Sequence, residues 1–347
     1  MEDNKSKKKI IISGIFFIVI VALTFKMLFG NKDITTIMNT IKDVDHKYLV
    51  MGVCSMSLFV LCEGINIKRL VKTLGYECTI FQGLRYSATG FFFSSITPSA
   101  SGGQPMQLYF MNRDKISISH GTLALIVELA SYQLVTLSMA IIAFAFNYSF
   151  MENTNPKLKT LLAIGVLLNL LVFIGIMVAM FSKTAAKTIV GFVINILEKL
   201  KIKRVDKIRE SAYSQIAKYH SGVTIIQENK MMIAKTIMTT VVGISGLHSV
   251  TYFVYKAFGL TGYGFLTVFA LQAVLYIAVS AIPLPGAVGV SEGGFILLFK
   301  TLFPATIINS AVLLSRGISF YLYVVITGLL ILVTQCIISA KEKKRHG

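Results

Sequence analysis

The chain has 347 residues, of which 54% are hydrophobic and only 14% charged, with a mean hydropathy of +0.71 and a formal net charge of +18. Soluble domains carry about 25% charged residues, so this composition excludes an ordinary soluble enzyme and describes a polytopic membrane protein. Lys and Arg avoid the apolar runs and cluster between them, which assigns the positive charge to topology and anionic lipid headgroups and predicts no nucleic-acid partner.

Lys5, Lys7, Lys8 and Lys9 precede an apolar stretch from Ile10 to Phe25. It is longer than a usual signal-peptide core and lacks a small-x-small cleavage site, so it reads as the first membrane span. A helix needs about 20 apolar residues to cross the hydrocarbon core. Spans are expected at 10–30, 48–67, 117–147, 160–181, 236–257 and 305–338, with two further apolar segments, 80–112 and 263–300, interrupted by Pro and Gly. The expected fold is an all-α polytopic membrane protein forming one membrane domain over 1–347. It has six spanning helices plus two broken, re-entrant hairpins, or eight helices, arranged as an inverted repeat.

Orientation follows from the basic residues. With the N-terminus inside and each interrupted segment entering and leaving on one side, the inner segments hold most of the 34 Lys and Arg, including Lys68, Arg69, Lys72, Arg85 and the tail from Lys341 to Arg345. The outer segments keep Lys32, Lys42, Lys47, Lys157, Lys159, Lys256 and Lys300. This bias predicts a multi-pass protein of the cell membrane with both termini cytoplasmic.

The interrupted segments resemble one another. Ser280 to Phe295 holds Pro283, Pro285, Gly286, Gly289, Gly293, Gly294 and the carboxylate Glu292; Ser94 to Gln104 holds Pro98, Gly102 and Gly103. The interval from Pro98 to Pro285 equals that from Gly102 to Gly289. Broken backbone at membrane depth survives only where protein or a water-filled cavity surrounds it, and two such breaks in corresponding halves point to a transport site. Repeat one is expected over 10–147 and repeat two over 160–338, the second carrying a polar insert at 183–235. In that insert Ile189, Val193, Ile196, Leu197 and Leu200 recur at helical spacing among lysines and arginines. It reads either as amphipathic helices on the anionic inner leaflet or as a basic connecting loop.

Charges inside spans cost at least about 2.5–3.5 kcal/mol at the helix centre, so each needs a reason. Glu128 and Arg316 lie equally far into their long spans, at equivalent positions of the two repeats. They are expected to face each other across the repeat axis, as a headgroup site or as a structural ion pair. Glu292 would sit at a cavity mouth or cap the helix that restarts beyond it. Glu63, five residues before Lys68, would snorkel or pair locally; His248 would be hydrogen-bonded within the bundle. Ser94, Ser95, Thr97, Ser99, Ser101 and Gln104 would satisfy broken backbone or line a polar path. The candidate substrate path is therefore Ser94, Ser95, Thr97, Pro98, Ser101, Gly102, Gly103, Gln104, Glu128, Pro283, Pro285, Gly286, Gly289, Glu292 and Arg316.

Cys54, Cys62, Cys78 and Cys336 show no metal-binding spacing and read as buried small apolar side chains. No P-loop, GxSxG or HExxH is present. No catalytic residue, metal or cofactor is predicted.

TPSASGGQP at 97–105, IPLPGAVGVSEGG at 282–294 and SRGISFYLY at 315–323 together resemble the signatures of the lysylphosphatidylglycerol synthase transmembrane, flippase-like family. The resemblance runs over nearly the whole chain; Ala287 stands where members often have a second Gly. It implies a membrane part that moves a polar phospholipid, including aminoacylated phosphatidylglycerol, between leaflets, an activity the family links to resistance against cationic antimicrobial peptides. It leaves two alternatives: a phosphatidylglycerol lysyltransferase or its membrane subunit, working with a separate synthase protein, and a non-transporting scaffold. The chain stops at Gly347 soon after its last span, so the family's cytosolic transferase domain is expected to be absent.

Overall fold

The computed structural model describes residues 39–146, 156–182, 188, 191, 218–280 and 282–346. The expected first span, 10–30, and the amphipathic part of the insert lie outside the described residues, apart from positions 188 and 191. The described chain is helical throughout, with five helices long and apolar enough to cross a membrane and shorter apolar helices between them.

Helix α1 (His46–Thr73) begins where Asp45 accepts a hydrogen bond from the Lys47 amide at 2.9 Å, satisfying one of the free N–H groups of a helix start. It ends at Gly75, whose φ of +87° lets the Tyr76 N–H reach back to the Val71 carbonyl. Helix α2 (Ile80–Ile96) starts on a Thr79–Gln82 capping box and stops at the first proline break. A tight turn over Pro98–Ala100 leads into α3 (Gly103–Arg113), then α4 (Ile118–Phe146) and α5 (Pro156–Phe181).

Beyond the insert, residues 218–228 are helical and α6 (Lys230–Ala257) follows at once. Lys230 and Lys235, at the end of the expected insert 183–235, lie on the first turns of α6. Helix α7 (Phe265–Ser280), a second tight turn over Pro285–Ala287 and α8 (Val290–Phe299) form the second broken segment. The last apolar run is not one regular helix. It consists of α9 (Ile308–Arg316), a wide π-helical turn over Gly317–Tyr321, and α10 (Leu322–His346).

Helices α1 and α6 have the same length, 28 residues, and pack along one another. The end of α6 repeats the end of α1: Gly259 has φ +71° and the Leu260 N–H reaches the Tyr255 carbonyl. Packing is reciprocal around this pair, with α2 against α10 and α7 against α4. The close approach of α1 and α2 depends on glycine. A Cβ at Gly83 would fall well inside van der Waals distance of the Gly64 carbonyl, a small-residue contact typical of membrane helices.

The interior divides into two apolar cores. One gathers Met56, Val254, Leu271, Val274, Phe299 and Val312, the other Ile67, Leu70, Tyr86, Met111, Leu123 and Tyr219. Outside them, Leu167, Leu171 and Val172 of α5 and Val325, Leu329 and Leu332 of α10 are exposed. An exposed apolar band of this extent fits a hydrocarbon surrounding. Cys62 and Cys78 are buried as expected, whereas Cys54 is exposed; the Cys336 side chain lies outside the described residues.

Candidate functional site

The two proline breaks share one backbone course. Thr97 and Leu284 are extended (φ/ψ −115°/144° and −104°/145°), and Ser99 and Gly286 are left-handed (53°/27° and 57°/15°). Ala100 and Ala287 also have positive φ, 53° and 49°. The hydrogen bonds repeat at equivalent positions: Ala100 N–H to Thr97 O at 3.2 Å and Ser101 N–H to Pro98 O at 3.1 Å, against Ala287 to Leu284 at 3.0 Å and Val288 to Pro285 at 3.2 Å. Beyond Ala100 and Ala287 the courses separate, since Ser101 is helical and Val288 extended.

The two turns lie against each other. Phe91 and Phe92 of α2, Val288 after the second turn, and Phe320 and Val324 of the last helix close an apolar plug around the contact. Gly286 is required there twice over, by its positive φ and because the Phe320 ring occupies the space a Cβ would need.

The turns satisfy their freed backbone groups by different chemistry. In the first, hydroxyls do so: Thr97 Oγ1 donates to Phe93 O (2.6 Å) and accepts from the Gly102 N–H (2.9 Å). Ser95 donates to Phe91 O (2.7 Å) and Ser94 to Ala100 O (3.4 Å). Gly103 is buried against Ser94. Pro98, Ser99, Ser101 and Gln104 remain exposed, so this tip offers two hydroxyls and an amide to its surroundings. In the second turn, charged groups do the same task. Glu292, 0% exposed, accepts from the Gly289 N–H at 2.7 Å, from Arg316 Nε at 2.9 Å and from the Tyr321 hydroxyl at 3.0 Å. Arg316 also donates Nη2 to the Gly286 carbonyl at 2.9 Å and lies over the Phe320 ring at 4.4 Å. Pro285 is buried, while Pro283 is exposed.

The π-helical turn makes this possible. Arg316 and Tyr321 are five residues apart, which on a regular α-helix would separate them by about 140°. The wider turn brings both onto one carboxylate, the kind of local π segment often found at functional sites.

Three sequence expectations change here. Glu128 does not pair with Arg316: the second broken segment folds back so that Glu292, nearer in the chain, reaches the guanidinium first. Glu128 lies instead with Glu63 beside a small cavity between α1, α4 and α6. Glu63 does not turn to Lys68; its Oε2 accepts from Ser87 of α2 at 2.9 Å. Of the two expectations for Glu292, it caps the restarting helix, and it carries the ion pair as well. His248 is fully buried, yet neither ring nitrogen has a hydrogen-bond partner among the described residues.

Sequence reasoning missed the base of the first hairpin. Arg85 of α2, read as an inner-loop cation, is buried and bonds Asp114 just after α3; Tyr86 donates to the same carboxylate, and the Phe110 ring lies 5.7 Å from the guanidinium. Gln107 ties the arms higher up, donating to Tyr86 O at 3.0 Å. The available signal was an aspartate directly following a short helix, opposite an arginine in the second turn of its partner.

Long apolar helices around two proline breaks folded onto one another, with ionisable groups held inside, define a polytopic α-helical membrane protein. The chain belongs to the family whose profile is described as lysylphosphatidylglycerol synthase TM region, matched over residues 10–327. It is similar to a UPF0104 membrane protein of Archaeoglobus fulgidus, with 22% identity over 310 residues, 88% of this chain and 90% of that protein.

Proposed function

We propose that this protein moves a polar phospholipid between the leaflets of the cell membrane, along a path that passes the contact between its two broken turns. The observation that carries the reading is the pair of breaks at Pro98 and Pro285, which share their dihedral angles and lie against each other inside a bundle of apolar helices. Irregular backbone at membrane depth survives only where protein buries it or where it lines a water-filled cavity, and two equivalent breaks at a repeat interface follow the plan of many transporters. The exposed Ser99, Ser101 and Gln104 supply donors and acceptors for a headgroup. Arg316 and Glu292 brace the opposite tip.

In this reading residues 10–147 and 160–338 are inverted repeats, both termini are cytoplasmic, and the basic insert rests on anionic inner-leaflet lipids. An aminoacylated phosphatidylglycerol is the substrate that the family's description favours, and its outward display would lower sensitivity to cationic antimicrobial peptides. The same description supports a second reading, a membrane subunit serving a separate synthase. The test is leaflet exchange of fluorescent and aminoacylated phosphatidylglycerol in liposomes containing the purified protein. Faster exchange than in protein-free vesicles supports translocation; no acceleration with any of several lipids removes it. Aminoacyl-lipid formation that needs both this chain and a co-expressed synthase would favour the second reading.

A further inference from the structure

The contact between the turns makes no use of Glu63 and Glu128. Both face a cavity of about 10 Å³, which Asn66, Tyr132 and Thr240 also line; that is room for about one water and far too little for a lipid headgroup. Glu63 accepts one hydrogen bond, from Ser87, while the Glu128 carboxyl has no hydrogen bond or ion pair among the described residues.

The arginines of α1, α2 and α9 are committed elsewhere. Arg69 of α1 donates to Asn66 Oδ1 at 2.9 Å and Thr239 Oγ1 at 3.0 Å, Arg85 of α2 to Asp114, and Arg316 to Glu292. Of the other titratable groups, Cys62 on α1 and Tyr132 on α4 line the same cavity, and Tyr276 on α7 and then His248 on α6 follow beyond Tyr132. Tyr132 and Tyr276 share a hydrogen bond between their hydroxyls, and the His248 ring stands edge-on to Tyr276, centroids 5.4 Å apart. His248 is 0% exposed and both its nitrogens lack partners among the described residues, so a second unsatisfied polar group ends the same seam.

Two carboxylates without a cation are costly inside a lipid-embedded bundle unless something neutralises them. Among the described residues no group of three or more His, Cys, Asp or Glu side chains is placed to hold a metal ion. A proton needs one carboxylate oxygen.

We propose that Glu63 and Glu128 form a proton-binding site that holds one proton between them, continued by the Tyr132–Tyr276 pair towards His248. Uptake forms one O–H bond on a carboxylate and breaks one in the water that delivers the proton; nothing is oxidised or reduced. If lipid translocation is the function, this site supplies the coupling ion, a step that rests on that reading while the site itself does not.

The test uses the full chain in liposomes at neutral pH. Infrared spectroscopy should show the carbonyl stretch of a protonated carboxyl, shifted by deuterium exchange and lost in Glu128→Gln or Glu63→Gln. Thermal unfolding should show a Tm that falls as pH rises in the wild type, and that pH-dependent part should be absent from the glutamine variants. The wild-type spectrum stands even if a variant fails to fold, and absence of the protonated-carboxyl band overturns the proposal. So does a Tm raised by sodium in the wild type and not in Glu128→Gln, which would make the site a metal-cation site. Lipid exchange in the same vesicles separates the two ideas: a protonated carboxyl without exchange refutes only the translocation reading, and exchange without that band refutes only the proton site.

Discussion

Replacing Arg316 by glutamine removes the cation from a carboxylate that is 0% exposed. The Gly289 N–H and the Tyr321 hydroxyl still donate to Glu292, but its charge is left uncompensated. Breaking a buried pair by deleting one partner costs about 3–5 kcal/mol. The Arg316 side chain is 17% exposed and two donors remain, so the lower end applies, about 3 kcal/mol, or roughly a hundredfold shift in an opening equilibrium. Glu292→Gln should cost less, because it leaves an arginine that can turn toward water. The double variant Glu292→Gln/Arg316→Gln should recover part of the Arg316→Gln loss, since no buried charge then remains unpaired. The assay is thermal and denaturant unfolding of purified protein in detergent, with hydrogen exchange of the Gly289–Gly294 amides to localise the effect. Arg316→Gln as stable as the wild type, or a double variant less stable than the sum of the singles, would refute the reasoning.

Further tests address the backbone and the first hairpin. Gly286→Ala adds a Cβ where Phe320 already sits and where φ is +57°, so it should lower Tm; Ser99→Gly relieves the equivalent left-handed strain and should be neutral or stabilising by up to about 1 kcal/mol. Gly83→Val should force α1 and α2 apart and sharply reduce the yield of folded protein, measured as the monodisperse fraction on size exclusion. Asp114→Asn strips the buried Arg85 of its counter-charge and should destabilise by about 3 kcal/mol in chemical denaturation, whereas Lys72→Ala, whose pair with Glu77 is exposed, should change little.

Much of the architecture was legible in the residues. Lengths of apolar sequence located α1, α4, α5 and α6, and prolines 98 and 285 located two turns that share their dihedral angles. The hydroxyls of Ser94, Ser95 and Thr97 were readable as partners for broken backbone, because short polar side chains readily bond the main chain close to them. The partner of Arg316 was not readable. Repeat spacing set Glu128 opposite it, but spacing along a chain does not say that a hairpin folds back to bring Glu292 first. The inward turn of Glu63 was hidden for a similar reason. A lysine five residues away is visible in sequence, whereas Ser87 on a neighbouring helix becomes its partner only through the glycine contact of α1 with α2. The π-helical turn has no periodicity of its own and left a run that reads as ordinary helix.

Translocation as proposed takes the lipid headgroup past the polar face of the first tip. The direct measurement is the rate of phosphatidylglycerol exchange between leaflets, comparing wild-type vesicles with those holding Ser101→Leu/Gln104→Leu, a change confined to two exposed side chains. Exchange should be fast in the wild type and slower by about tenfold or more in the variant, with Tm unchanged. Exchange equally fast in both would contradict it.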